Sequence, residues 1–175
     1  TIRFLFVGTL SSGKRPLYVV QIVEKLSQLG YPVLLQFFGE GAERTSLQEY
    51  CEENQLNTIV EFKGNQLERV VREAYKKSHF LLLPSESEGW PKVVAEAMFW
   101  GCLPIATQVS CVGEMLDYGK RGLLLKMDFD YDIEQIRAIL KNLTEYNSKV
   151  QESILWSRKY TLDLFENEIK ELLHT

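Results

Sequence analysis

The residues best able to do chemistry sit in one short stretch, Leu83-Pro84-Ser85-Glu86-Ser87-Glu88-Gly89-Trp90-Pro91-Lys92-Val93-Val94-Ala95-Glu96-Ala97-Met98. A strand-like run ends at Leu83, a polar loop follows, and a helix is expected from Val93 to Trp100. Gly89 allows close backbone approach and Pro91 suits a first helical turn. Unpaired N–H groups at such a helix start form a ready site for a diphosphate. Pro91 supplies none, so Gly89, Trp90 and Lys92 are the candidates. Seven residues separate Glu88 from Glu96, which lets one carboxylate sit in the loop and the other about a turn into the helix, facing one pocket at different depths. As a plain capping carboxylate Glu88 is worth ~0.3–1 kcal/mol. Glu96 interrupts the apolar run Val93-Val94-Ala95-Glu96-Ala97-Met98, where an unbonded carboxylate is costly, so a bonding partner is expected for it.

A second candidate loop, Gly8-Thr9-Leu10-Ser11-Ser12-Gly13-Lys14-Arg15, directly follows a strand-like run. Its two glycines and Lys14 come close to a P-loop, which wraps amides around phosphates and binds magnesium through the next Ser or Thr. Arg15 stands in that place and no later strand ends in the Asp expected of the magnesium partner, which argues against a true P-loop. Lys14 is left either as a phosphate contact or as a solvated lysine.

Six apolar runs are expected strands: Ile2–Val7, Val33–Phe38, Ile59–Phe62, Phe80–Leu83, Leu103–Ala106 and Leu123–Leu125. Most are continuously apolar, as strands covered on both faces should be. Helical patterns fall between them at Leu17–Leu29, Ala42–Asn54, Leu67–Lys77, Val93–Trp100 and Ile133–Leu143, with Gly30 placed to end the first. Regular alternation with short connections predicts an α/β fold with a parallel, doubly wound sheet of about six strands. Ligands in such sheets bind beyond the C-terminal strand ends, which selects the loops Gly8–Lys14, Gly39–Gly41, Gly64–Gln66 and Ser85–Pro91. Beyond Leu143 the pattern is wholly helical. There Leu162, Phe165, Ile169 and Leu172 form an apolar stripe that packs either on its own domain or on a neighbouring one.

With 175 residues, 45% of them hydrophobic, the chain reads as one domain, residues 1–175, with no internal linker or repeat. Its net charge of −4 comes without a basic face, which argues against nucleic acid as a partner. Three unpaired cysteines and two histidines, without CxxC or HxxxH spacing, predict neither disulfides nor a metal site. No run reaches about 18 apolar residues, so no membrane span is expected. The opening at Thr1, straight into a strand, reads as a cut from a longer protein with an N-terminal neighbour.

The two-glutamate segment, Glu88-Gly89-Trp90-Pro91-Lys92-Val93-Val94-Ala95-Glu96-Ala97-Met98 followed by Gly101 and Pro104, resembles the donor-binding half of retaining GT-B glycosyltransferases of group 1. Phe6-Val7-Gly8 with Lys14 is similar to that family's first strand and Gly-Arg…Lys loop. Phe62-Lys63-Gly64, then Leu67 and Ala74-Tyr75, resembles the strand and helix at its base site. Val109 to Leu116, with Glu114, resembles its Gly-Gly-x-Pro-Glu segment. The resemblance implies the Rossmann-like C-terminal half of a GT-B fold. It implies that Glu96 holds the ribose hydroxyls of a nucleotide sugar, while Glu88 and the backbone after it hold the sugar and β-phosphate. Lys14 would neutralise the diphosphate leaving group, with Gly8 and Thr9 beside it, and the backbone near Asn65 and Gln66 would touch the base.

By the same resemblance the sugar is transferred with retention and without a metal or other cofactor. The acceptor (a glycan, a lipid-linked sugar or a small molecule) would bind a preceding domain. A cytoplasmic setting follows, or the cytoplasmic face of a membrane in the full-length protein. Three departures stand out: Thr9 replaces the family's Arg, Ser110-Cys111 its Gly-Gly, and Gly113 its Pro. Trp90 either stacks near the donor or wedges the loop onto the domain. The rival expectations are a nucleotide-binding module without transfer, an epimerase or phosphorylase of the same architecture, or a magnesium-dependent P-loop nucleotidase.

Overall fold

The structure is a computed structural model that describes residues 1–159. The expected apolar stripe at Leu162, Phe165, Ile169 and Leu172 lies outside the described residues. The chain runs β1 (Ile2–Val7), α1 (Pro16–Gln28), β2 (Val33–Phe38), α2 (Arg44–Glu53), β3 (Val60–Gly64), α3 (Glu68–Lys77), β4 (Phe80–Leu83), α4 (Lys92–Trp100), β5 (Leu103–Thr107), α5 (Val112–Met115), β6 (Leu123–Leu125), α6 (Phe129–Lys141) and α7 (Leu143–Ser157). The strands form one parallel sheet in the order β3-β2-β1-β4-β5-β6.

The continuous apolarity of the strands follows from their position between two cores. On one face Phe4, Phe6, Leu35, Phe37, Phe80, Leu82 and Ile105 pack against Val19, Val23 and Leu26 of α1, Leu47 of α2 and Ile133, Ile136 and Ile139 of α6. On the other, Leu5, Leu81, Leu83 and Ala106 meet Ala74 and Tyr75 of α3, Val94, Ala97 and Met98 of α4, and Val112 and Met115 of α5. Alternate residues of one strand serve opposite cores, as the period of two requires. Chain order reverses between β1 and β4, which places a switch-point crevice at their C-terminal ends.

The expected helix Ile133–Leu143 is α6 with shifted ends, and the helical pattern beyond Leu143 is α7 over the described residues. Helix α6 starts earlier, where the Asp128 side chain accepts from the Tyr131 amide, and it stops at Asn142. Asn142 is non-helical (φ −119°, ψ 80°), and its side chain caps α7 by accepting from the Glu145 amide at 3.1 Å. Helix α5, only four residues long, had no expected counterpart. Gly30, at φ 85°, ends α1 as its position predicts. No described helix is long and apolar enough to cross a membrane.

One titratable group bears on the N-terminal edge of the sheet. His79 Nδ1 accepts from the Arg3 amide at 3.0 Å, and burial, reinforced by the Arg3 charge, pushes its pKa below the usual 6.5. The unfolded chain therefore takes up the proton first. The contribution of neutral His79 is complete above about pH 6.5 and is lost as the pH falls through its lowered folded value. Urea unfolding followed between pH 7.5 and 5.5 should show stability falling toward the acid side. His79→Gln, which keeps an acceptor and cannot titrate, should flatten that slope.

Candidate functional site

The site is built on the C-terminal ends of β1 to β5. After β1 the chain makes a tight turn, with the Lys14 amide on Ser11 O and the Arg15 amide on Ser12 O, both 2.9 Å. Arg15 then adopts the left-handed region (φ 49°, ψ 49°) before Pro16 opens α1. The turns after β1, β2 and β3 are joined through their backbones: Gly8 N to Phe38 O (2.9 Å), Leu10 N to Glu40 O (3.0 Å), Glu43 N to Leu10 O (2.9 Å) and Gly39 N to Gly64 O (2.9 Å). Such close approach needs residues without a side chain. A Cβ at Gly39 would lie 1.9 Å from Gly8 O, and one at Gly41 2.3 Å from Leu10 O.

The loop after β4 is fastened on both sides. Toward β1, the Glu86 amide donates to Gly13 O at 2.8 Å. Toward β5, Thr107 Oγ1 donates to Ser85 O at 2.5 Å and Ser110 Oγ donates to Gly89 O at 3.0 Å. Cys111 Sγ also lies 3.8 Å from Gly89 O, so the two departures Ser110-Cys111 both grip the glutamate-bearing loop. With the loop held there, Lys14 Nζ meets Glu88 Oε1 at 2.5 Å, the Glu88 side chain being only 10% exposed. Beside it, Arg15 pairs with Glu86 at 3.2 Å and reaches Pro84 O at 3.5 Å.

Glu96 is bonded, as its apolar run demanded. Its Oε2 accepts from the Tyr75 hydroxyl at 3.2 Å and its Oε1 lies 3.2 Å from Lys92 Nζ, one turn back on α4. Burial, then the Glu96 charge, pushes the Tyr75 hydroxyl far up, so it stays a donor. Contact with Glu96 likewise pushes the exposed Lys92 ammonium upward.

Two hollows adjoin each other here. One, of about 410 Å³, is lined by Gly8, Thr9, Gly39, Glu40, Asn65, Gln66 and Val71. The other, of about 120 Å³, lies among Glu68, Val71, Arg72, Tyr75, Glu96 and Trp100. Val71 walls both. Gly8, Thr9, Asn65 and Gln66 are therefore brought together, with Glu96 next door. Glu88 and Glu96 do not share a wall, as their spacing had suggested. The loop is pinned to Gly13, which turns Glu88 onto Lys14, and each carboxylate has its own lysine.

The expected amide at Lys92 is bonded to Trp90 O at 2.9 Å, inside the turn that Pro91 starts. Gly89 carries two contacts on its carbonyl, and Trp90 is exposed. Arg72 and Tyr75, four and seven residues after Glu68, line the site; the sequence places Tyr75 only within the segment resembling the base-site helix and gives Arg72 no role. Their signal is the shared α3 face that ends at Glu96. A groove of about 430 Å³ over α1, among Tyr18, Glu24 and Tyr50, lies apart from this rim, and its hydroxyls are bonded to Asp132 and Glu24.

A doubly wound sheet with paired cations, carboxylates and glycine turns at its switch point defines a Rossmann-like α/β domain. The chain belongs to the glycosyl transferases group 1 family, whose pattern matches residues 1–153. It is 31% identical over 139 residues to an uncharacterized glycosyltransferase of Methanocaldococcus jannaschii, covering 79% of this chain and 38% of that protein. A second uncharacterized glycosyltransferase, from Haemophilus influenzae, is 26% identical over 97% of this chain and 48% of its own length. The chain thus spans less than half the length of these relatives.

Among solved structures, Anabaena HepE in complex with UDP superposes with a TM-score of 0.85 at 15% identity, over 99% of this chain and 49% of that one. The C-terminal domain of a Francisella tularensis glycosyl transferase group 1 protein gives 0.80 at 17% identity, over 92% and 87%. These likenesses establish the fold alone, a Rossmann-like α/β domain of the kind found in GT-B glycosyltransferases.

Proposed function

We propose that this chain is the nucleotide-sugar-binding half of a retaining glycosyltransferase that moves a sugar from a nucleoside diphosphate to an acceptor hydroxyl. The observation that carries the reading is the Lys14–Glu88 pair at the switch point, beside a hollow lined by Gly8, Thr9, Asn65 and Gln66, with Glu96 behind Val71. The UDP complex of HepE supports it. In this reading the base and ribose occupy the hollow and its extension, and Glu96 accepts from the ribose hydroxyls in exchange for Lys92. The Lys14 ammonium stabilises charge as it develops on the departing diphosphate, which is where a fixed cation lowers the barrier most. Glu88 orients Lys14 and faces the sugar. No metal is required for that charge balance. The acceptor, whether glycan, lipid-linked sugar or small molecule, binds outside this chain, at the cytoplasm or the cytoplasmic face of a membrane, and the chain alone binds donor without transferring sugar. A nucleotide-binding module without transfer is the second reading, favoured by one observation: Thr9 brings no charge to the turn that Lys14 closes.

Thermal unfolding with UDP, GDP and ADP, each with magnesium or with chelator, tests the reading on the wild-type chain and on Glu96→Ala. A diphosphate at about 100 times its Kd adds ~2.7 kcal/mol, roughly 5–11 °C at this size. One diphosphate should give that rise independently of metal, and Glu96→Ala should abolish it. Absence of a rise with every diphosphate, in a chain that melts cooperatively, would overturn the donor-site reading. Sugar transfer by the chain alone would overturn the division of labour.

A further inference from the structure

The turn after β1 presents two cations in succession, and the loop after β4 presents two carboxylates at alternate positions. Lys14 meets Glu88 and Arg15 meets Glu86. The Glu86 amide on Gly13 O holds loop and turn at a fixed separation, so both pairs stand on the same edge of the crevice. The two pairs are unlike in one respect. Glu88 is nearly enclosed, its side chain 10% exposed, whereas Glu86 is 57% exposed and Arg15 34%. A carboxylate so open to water can swing off its partner at little cost.

Arg15 is also held in an unusual way. Its backbone lies in the left-handed region, which disfavours a residue with a side chain, and it is the residue that joins the turn to α1. That conformation directs the guanidinium over the end of β4, where it touches Pro84 O and Glu86. Its planar fork matches two phosphate oxygens better than it matches one exposed carboxylate and one carbonyl at 3.5 Å. Thr9 adds no charge on this turn, so a diphosphate seated at Lys14 would find its second positive group one residue on. We propose that Arg15 is the second diphosphate-binding cation of this site, and that Glu86 competes with the ligand for it. The inference rests on the donor-site reading and adds a residue to it. Seating the diphosphate exchanges one ion pair, Arg15 with Glu86, for another, Arg15 with phosphate. Glu86 is released to water.

Calorimetric titration of the chain with UDP, GDP and ADP tests this. Arg15→Gln should weaken the preferred diphosphate about tenfold, and leave binding of the corresponding nucleoside, which has no phosphate, unchanged. Arg15→Gly removes the same charge while relieving the left-handed backbone, so it should fold at least as well and weaken binding equally. Glu86→Gln should tighten diphosphate binding about threefold, and should do nothing when Arg15 is already Gln. Wild-type affinity in both Arg15 variants, together with loss of binding in Lys14→Met, would overturn the inference and leave the donor reading standing. Weaker binding in Glu86→Gln would show that Glu86 positions the loop and does not compete. If the wild-type chain binds none of the three diphosphates, the donor reading fails and takes this inference with it.

Discussion

Gly39→Ala should destabilise the domain by about 3–5 kcal/mol, enough to leave much of it unfolded at 37 °C, although it adds a single methyl group. Two effects combine. At φ 137° the backbone occupies a region that residues with a Cβ rarely adopt, a strain of about 1–3 kcal/mol. The added carbon would also lie 1.9 Å from Gly8 O, which is backbone and cannot turn aside. Relieving that overlap means separating the turns after β1 and β2, and with them the bonds from Gly8 to Phe38 and from Leu10 to Glu40, at a further 1–3 kcal/mol or so. Urea unfolding gives the stability change. Diphosphate titration below the transition should show binding lost in the molecules that stay folded, because Gly8 and Thr9 line the hollow. Gly89→Ala is the control: a Cβ there meets nothing within 4 Å, so stability should hold.

The second large effect belongs to Asp132, 1% exposed on α6. Its carboxylate accepts from the Tyr18 hydroxyl at 2.7 Å and from the amides of Lys126 and Met127 at 2.9 and 3.1 Å. It thereby ties α1, the end of β6 and the left-handed Met127 to one point. Burial, then the bond to Asp132, pushes the Tyr18 hydroxyl strongly upward, so it remains a donor at every pH of interest. Asp132→Ala strands three donors and removes charge-assisted bonds, at about 3–4 kcal/mol in all. Asp132→Asn should recover only part, since its amide turns an N–H toward groups that are themselves donors. Denaturant unfolding of both variants checks the order Ala, Asn, wild type in rising stability. An Asp132→Ala protein within 1 kcal/mol of wild type would mean that water replaces the carboxylate there.

Gly39 lies in a turn that the sequence singles out, whereas Asp132 does not announce itself. Asp132 lies in Phe129-Asp130-Tyr131-Asp132, where acidic residues at a helix start read as dipole complements, and burial is what separates it from Asp130. The strands and the four rim loops were legible because continuous apolar runs and glycine turns are local signals. The paired loops Gly8–Lys14 and Ser85–Pro91 could be selected for the same reason, since strand ends in a parallel sheet share one edge. Partners were not legible. That Glu96 needed one followed from its apolar neighbours, yet Tyr75, 21 residues back, is brought to it only by α3 packing beside α4. The left-handed Arg15 was hidden too, because a position with positive φ is signalled by glycine and this one carries a long side chain. The helical pattern runs through Asn142, which in fact ends α6, its short side chain accepting from the Glu145 amide of α7.

Two kinds of force fasten the crevice. The turns after β1, β2 and β3 are joined amide to carbonyl, which dissolved ions barely affect, whereas Arg15 and Glu86 are joined by charge in partial contact with solvent. Ionic strength therefore acts on the ion pairs alone, since screening at about 0.1 M already reaches down to 10 Å. Added salt weakens the pull of the cations on an incoming diphosphate, and by the same shielding weakens the hold of Glu86 on Arg15. On the proposed exchange of one pair for another, few counterions are released overall. The affinity of this crevice for its anion should then decline less steeply with salt than that of a bare cluster of cations.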